Sequence, residues 1–450
     1  MTLWSGRFDD APADVLWRYT ASQTDRRLLA VDIRGSIAHV GMLADVGLID
    51  RSEHETIDVA LHQLLADADD GTFEFLDTDE DVHSAVERRL IELVGDVGRK
   101  LHTGRSRNDQ IALDIRLYLL ETSAIRQQQL VEFVGTLVEF AQANADVIVP
   151  SYTHLQQAQA IPLAHHLLAY AWMAVRTRSR FADLDQRMAV SPLGASASGG
   201  SSLPIDPYIA AQRLGFPVVF PNSLDAVGSR DLVAEYVFCC AQAMVDLSRL
   251  SEELVLWATS EFGWVTFEDA LTTGSSALPQ KKNPDIAELA RGKAAGAIGS
   301  LTAIMALQKA LPLAYNRDLQ EDKEHVFAVD DMLGGTLEAV TALVASATFD
   351  PPQPGSWTMA LDFAEALVGR GVPFREAHEA VGRLVSRLLA SHKSLAEVTA
   401  EDLSAIDSRF ERGDVTLADA EQSVRRRRSS GGGSFDSVAQ QIEALQRLLS

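Results

Sequence analysis

Apolar residues recur at steps of three and four along most of this chain. From Ser106 to about Asn144 they are Ile111, Ile115, Tyr118 and Leu119, then Leu130, Phe133, Val134, Leu137 and Phe140. That spacing lines one face of an α-helix. From Asp231 to about Ser260 the series is Val233, Val237, Cys240, Met244, Leu247, Leu250 and Leu254. A third pattern runs from Asp285 through Leu311 and includes "GKAAGAIGS", whose small residues let neighbouring helices approach closely. A fourth follows Asp322, with Val326, Val329, Met332, Leu333, Leu337 and Val340. Several of these exceed ordinary helix length and predict a long bundle. Strand-like alternation is short and rare, so the expected fold class is all-α.

Two breaks divide the patterns. "DPPQPGSW" (Asp350 to Trp357) cannot continue a helix, because proline removes a donor and clashes with the preceding turn. The other lies near "KLHTGRS". The expected division is an N-terminal helical domain at 1–104, a central long-helix domain at 105–350 and a small helical domain at 351–450. "SPLGASASGGSSLPID" (Ser191 to Asp206) and "RRRRSSGGGS" (Arg425 to Ser434) read as loops, the latter as a solvated turn.

Composition narrows the function. The 450 residues are 46% hydrophobic and 23% charged, as in globular proteins, and carry a formal charge of −23. Nucleic acid and anionic membrane are poor general partners for such a chain. A local basic cluster can still receive a small anion. Cys239 and Cys240 are adjacent, rule out a disulfide framework and fit a reducing compartment. "MTLWSGRFDDAPADVLW" has no basic stretch followed by a long apolar run, and no apolar run is long enough for a membrane span. A cytoplasmic protein is expected.

Four polar islands interrupt the helices. "HTGRSRNDQ" (His102 to Gln110) places hydroxyl, amide and guanidinium donors at a helix start, which suits carboxylates or phosphates. A plain N-cap with solvated arginines accounts for it equally well. In "SYTHLQQAQAIP" (Ser151 to Pro162), His154 is expected to enter a helix, where a lone histidine is commonly structural. His165 and His166 diverge around a helix, and neither HExxH nor a Cys/His ligand spacing occurs, so no metal site is expected. "GSSALPQKKNPD" (Gly274 to Asp285) joins a flexible serine loop to two lysines, a setting that can activate a hydroxyl. "AYNRDLQEDKEHVF" (Ala314 to Phe327) is a dense polar turn before a helix and could be only a cap.

Together these islands resemble the fumarase/aspartase superfamily of lyases, and the "QKKNPD" ending resembles its argininosuccinate lyase family. "LHTGRSRNDQ", "SYTHLQQAQ" and "LAYNRDLQEDKE" match the same family, as do "LWSGRF", "DEDVHSAVE", "PNSLDAVGSRD" and "GVPFREAHEAVG". The resemblance covers nearly the whole chain. It departs at Leu278, where the signature usually has Met, at "GGSS" (Gly199 to Ser202), and after Arg428. It implies an all-α, three-domain lyase with a central long-helix bundle. The implied reaction is reversible β-elimination of argininosuccinate to arginine and fumarate. Ser275 would take the proton and His154 would act as partner acid, with Glu288 aligning its imidazole. The sequence leaves open which of Ser275 and His154 is the acceptor, and Ser275 is favoured. Ser22, Asn108, Thr153, Tyr315, Gln320 and Lys323 would bind substrate. Lys281 and Asn283 would hold the fumarate-forming carboxylates, Ser106 and Arg107 would help, and His83 would be a further wall residue. No cofactor is implied. Similar proteins are homotetramers whose active sites draw on three chains. A sister lyase fits "QKKNPD" and "HTGRSRNDQ" less well. A non-catalytic relative is disfavoured because Ser275 and His154 are both present, and a helical scaffold explains the bundle but not the clustered polar islands.

Overall fold

The computed structural model describes residues 13–449, so the "LWSGRF" motif lies outside the described residues. The structure is 68% helical, and the strands among the described residues form four two-stranded ladders. The long apolar patterns form the helices Arg107–Ala143, Asp231–Trp257, Asp285–Gln308 and Asp322–Ala345, with a further long helix at Leu163–Met188. No helix among the described residues is long and apolar enough to cross a membrane. The chain divides into two compact units. One comprises residues 1–127, 179–242 and 295–334, and the other 128–178, 243–294 and 335–450.

In the first unit the Leu29–Asp45 helix buries Leu29, Val31, Ile33, Val40 and Leu43. It lies so close to the Arg107–Ala143 helix that a Cβ on Gly35 would meet Leu113 at 2.9 Å. Two further helices begin at capping boxes. Asp50 accepts from the Glu53 N–H at 2.8 Å, and the Asp50 N–H is returned to Glu53 at 3.1 Å. Asp81 accepts from the Ser84 N–H at 2.8 Å, and Ser84 Oγ accepts from the Asp81 N–H at 3.0 Å. This second box fixes the start of Val82–Val94 and with it His83. Among the long helices, the wholly buried carboxylate of Asp330 accepts from Tyr236 Oη at 2.6 Å, Arg126 Nε at 2.9 Å and Tyr118 Oη at 3.3 Å. A buried charge persists only with such partners.

In the second unit, Ile148–Thr153 pairs antiparallel with Gln156–Pro162. This corrects the expectation that His154 enters a helix. His154 and Leu155 are the two turn residues of a β-hairpin, with φ of 56° and 57°. The Thr153–Gln156 pairing leaves a two-residue turn, and positive φ at both turn residues matches the twist of the strands. The C-terminal core gathers Phe363, Leu367, Leu384, Leu388, Leu417 and Val424. The prolines of "DPPQPGSW" are non-helical as expected, lying after the strand Thr348–Phe349, and the Gly355 N–H donates to Gln157 Oε1 at 3.1 Å. The arginine run is not a wholly solvated turn. Arg425 pairs with Glu421 at 2.8 Å, and Arg427 bonds the buried Asp362 at 3.0 Å.

Candidate active site

The first unit holds a cavity of about 490 Å³. Ser22, His83, Ser106, Arg107, Asn108, Tyr315, Gln320 and Lys323 all line it, though they come from distant parts of the sequence. Each is placed by local structure. Ser106 is the N-cap of Arg107–Ala143: its Oγ accepts from the Asn108 N–H at 3.2 Å, and its own N–H donates to Asp109 at 2.9 Å. The other oxygen of Asp109 accepts from the Gly194 and Ser196 N–H groups at 3.0 and 2.8 Å. Asn108 Nδ2 donates to the Ala197 carbonyl at 2.9 Å. The Gly/Ser-rich loop is thereby tied to the start of the long helix. Tyr315 follows Ala314, whose carbonyl lies 2.6 Å from where a Cβ on Gly228 would sit. Only glycine permits that approach.

Both signs of charge meet in this cavity. Arg107 pairs with Asp81, and Arg317 bonds the Thr20 carbonyl at 2.6 Å. Lys323 Nζ donates to Asp322 at 3.0 Å, and Asp322 in turn binds the buried Arg230 at 2.6 Å. Burial, with the Arg105 and Arg107 guanidiniums, pushes the His102 imidazole down to about 4. Burial also raises the Tyr315 hydroxyl and the Glu87 carboxyl above their ordinary values. Cations beside carboxylates suit a zwitterion that carries both carboxylates and a basic group.

The second unit holds the remaining candidates. Thr153 and His154 are exposed at the hairpin tip. The signature loop is closed at its root by the ladder Thr273–Gly274 with Lys282–Asn283. Lys282 Nζ is committed to that root, donating to the Phe267 carbonyl at 2.5 Å and to Asp269 at 2.7 Å. Lys281 is exposed, with no ion pair among the described residues. Ser275 Oγ accepts from the Ala277 N–H at 3.3 Å and the Leu278 N–H at 3.1 Å. Asn283 Nδ2 reaches Thr273 Oγ1 at 3.5 Å. Glu288 is exposed one turn into Asp285–Gln308, and among the described residues no hydrogen bond joins it to His154.

Sequence reasoning missed several lining residues: Asp25, Glu80, Asp81, Glu87, His102 and Arg317. Asp81 and Glu87 lie inside the quoted "DEDVHSAVE", and Arg317 inside "AYNRDLQEDKEHVF", so those motifs pointed to them. Asp25 sits in "TDRRL", which reads as an ordinary helix start and gave no signal.

Known proteins share this architecture. A lyase family model matches residues 6–299, and a model of the argininosuccinate lyase C-terminal region matches residues 357–425. The chain is 45% identical to the argininosuccinate lyase of Desulforudis audaxviator, over 99% of each chain. It is 46% identical to that of Acidothermus cellulolyticus, over 100% of this chain and 94% of the relative. A variant of EDDS lyase solved with bound fumarate superposes with a TM-score of 0.82 at 26% identity, covering 98% of this chain and 91% of that one. The chain belongs to the argininosuccinate lyase family of lyases.

Proposed function

We propose that the protein splits argininosuccinate reversibly into arginine and fumarate, the last step of arginine biosynthesis. The observation that carries the mechanism is the pair of backbone N–H groups on Ser275 Oγ. A proton α to a carboxylate is weakly acidic, and its removal leaves a dianionic aci-carboxylate. A neutral hydroxyl is too weak a base, so a serine must act as a stabilised alkoxide, and the site must supply positive charge where the anion forms. Ser275 Oγ, held by the Ala277 and Leu278 N–H groups, takes the proton. The C–N bond then breaks, its electron pair passes to the guanidino nitrogen, and His154 protonates that nitrogen, with Glu288 aligning the imidazole. Lys281, which makes no ion pair among the described residues, and Asn283 face the carboxylates. Ser22, Ser106, Arg107, Asn108, Thr153, Tyr315, Gln320 and Lys323 hold the rest of the substrate.

The assembly in this reading is a homotetramer whose active sites are shared between subunits. The exposed Leu289, Ile298 and Met305 of Asp285–Gln308 support it, since they are 60%, 50% and 59% accessible in the single chain. A cytoplasmic location and the division at 104/105 and 350/351 belong to the same reading. The test is fumarate release from argininosuccinate, followed by ultraviolet absorbance, for wild type and Ser275→Ala. Fumarate from wild type alone is expected. Activity surviving in Ser275→Ala moves the base to His154, and no fumarate from tetrameric wild type sinks the reaction.

A further inference from the structure

Behind the cavity wall lies a cluster the elimination chemistry does not use. His83 Nδ1 lies 2.8 Å from Asp32 Oδ1 and 3.6 Å from Asp114 Oδ2, and both carboxyl groups are wholly buried. The interacting atoms of the three side chains lie within 4.8 Å of one another. Asp32 Oδ1 also accepts from Gln110 Nε2. Among the described residues, Asp32 Oδ2 and both oxygens of Asp114 find no donor, although the two carboxyl groups are within hydrogen-bonding reach. Two acceptors that face each other bond only when one carries a proton. Burial, reinforced by the Asp32 charge, holds the Asp114 carboxyl well above the ordinary range. Asp114 is therefore the protonated member and Asp32 the anion.

The ring of His83 lines the cavity while its Nδ1 is turned to Asp32, leaving Nε2 for the cavity side. Burial alone would lower the imidazole pKa, but the charge and hydrogen bond of Asp32 outweigh it and leave it raised. Asp81, on the cap of its own helix, acts in the same direction and Arg107 against it. Asp25 lines the same cavity and lies within electrostatic reach of the ring. His102, on the same wall, is driven the other way by burial, with Arg105 and Arg107 adding to it. One wall thus carries two imidazoles displaced in opposite directions, His83 toward its charged form and His102 toward its neutral form.

We propose that Asp32 and Asp114 are positioning residues: an acid pair sharing one proton, whose single negative charge keeps His83 an imidazolium that presents Nε2–H to an anionic group of the substrate. This rests on the lyase reading for the identity of the substrate. The protonation state of His83 does not depend on it.

The experiment has two arms. In the first, nitrogen-15 shifts of the His83 ring, assigned against His83→Gln, are followed in the intact wild-type protein from pH 6 to 9. A doubly protonated ring at pH 7.5 that loses its proton at higher pH is expected, and a neutral ring at pH 7.5 overturns the proposal. In the second, kcat and KM for argininosuccinate are measured against pH for Asp32→Asn and Asp114→Asn. Losing one charge-assisted hydrogen bond corresponds to about a ten- to hundredfold rise in KM. That rise is expected in Asp32→Asn at pH 7.5, with kcat little changed and KM recovering as the pH falls to 6. Asp114→Asn keeps an uncharged group in place and leaves Asp32 the anion, so it should raise KM less than Asp32→Asn at pH 7.5. A KM effect in Asp32→Asn that is independent of pH, or saturable Mn²⁺ or Zn²⁺ uptake by wild type that Asp114→Asn abolishes, overturns the proposal. If wild type makes no fumarate, the lyase reading fails while the first arm still decides the state of His83.

Discussion

Asp25 is the residue at which folding and binding pull hardest against each other. It is 3% exposed and lines the cavity, and its Oδ1 has no hydrogen-bond partner. Burial, aided by Asp81 and opposed by His83 and Lys323, lifts its carboxyl from 3.8 to about 6. A rise of about two units at 1.36 kcal/mol each makes the ionised group about 3 kcal/mol worse in the folded than in the unfolded chain. The folded state holds the proton up to about pH 6, whereas the unfolded chain releases it near 3.8. The stability tied to that proton is therefore lost as the pH rises through this window. Asp25→Asn has no proton to lose. Its advantage over wild type should be about 1 kcal/mol at pH 4.5 and about 3 kcal/mol at pH 7.5. Urea unfolding of both proteins at equal subunit concentration reads the difference, with other carboxylates cancelling. The same variant should bind argininosuccinate less tightly, because the cavity loses an anion facing the substrate's basic end. A stability gap that stays constant between these pH values, or a variant less stable than wild type at pH 7.5, would refute the reasoning.

Gly228→Ala places a methyl group 2.6 Å from the Ala314 carbonyl. The loop must shift, at a cost of about 1–3 kcal/mol, and carry Tyr315 with it. KM should rise with kcat less affected; steady-state kinetics showing wild-type KM would mean the Tyr315 loop does not touch substrate. Asp109→Ala removes the acceptor for the Ser106, Gly194 and Ser196 N–H groups. A loss of about 3–5 kcal/mol follows, with faster amide exchange at Gly194 and Ser196. Unchanged exchange there would show that the Gly/Ser loop is held by something else.

The long helices were legible because burial imposes a 3.6-residue period on every side chain that faces the core. Leu247, Leu250 and Leu254 could have been assigned from spacing alone. The polar islands were legible for the opposite reason, since Arg107 and Lys323 interrupt patterns that have no other use for them. The hairpin at His154 was not legible. Its turn uses histidine and leucine where Asn-Gly would have announced it, and its strands are short enough to be mistaken for helix entry. Asp25 and the Asp32–Asp114 pair were hidden for a different reason. Each lies within a helical stretch where an acidic residue reads as solvent-facing, and only the fold turns it inward. Lys281 and Lys282 looked alike in sequence, yet the ladder at the loop root commits Lys282 to Phe267 and Asp269 and leaves Lys281 without an ion pair among the described residues.

The left-handed turn at His154 and Leu155 has a consequence for how this sequence can drift. Holding an L-residue in that region costs roughly 1–2 kcal/mol, and asparagine and glycine are spared most of it. Leu155 is 77% exposed and has no proposed part in the chemistry, so its replacement by either residue would tighten the hairpin at no chemical loss. His154 shares the same backbone conformation but must remain an imidazole if it serves as the acid. Two neighbours under the same conformational strain are therefore under opposite mutational pressure: one is free to relax it, and the other has to keep it.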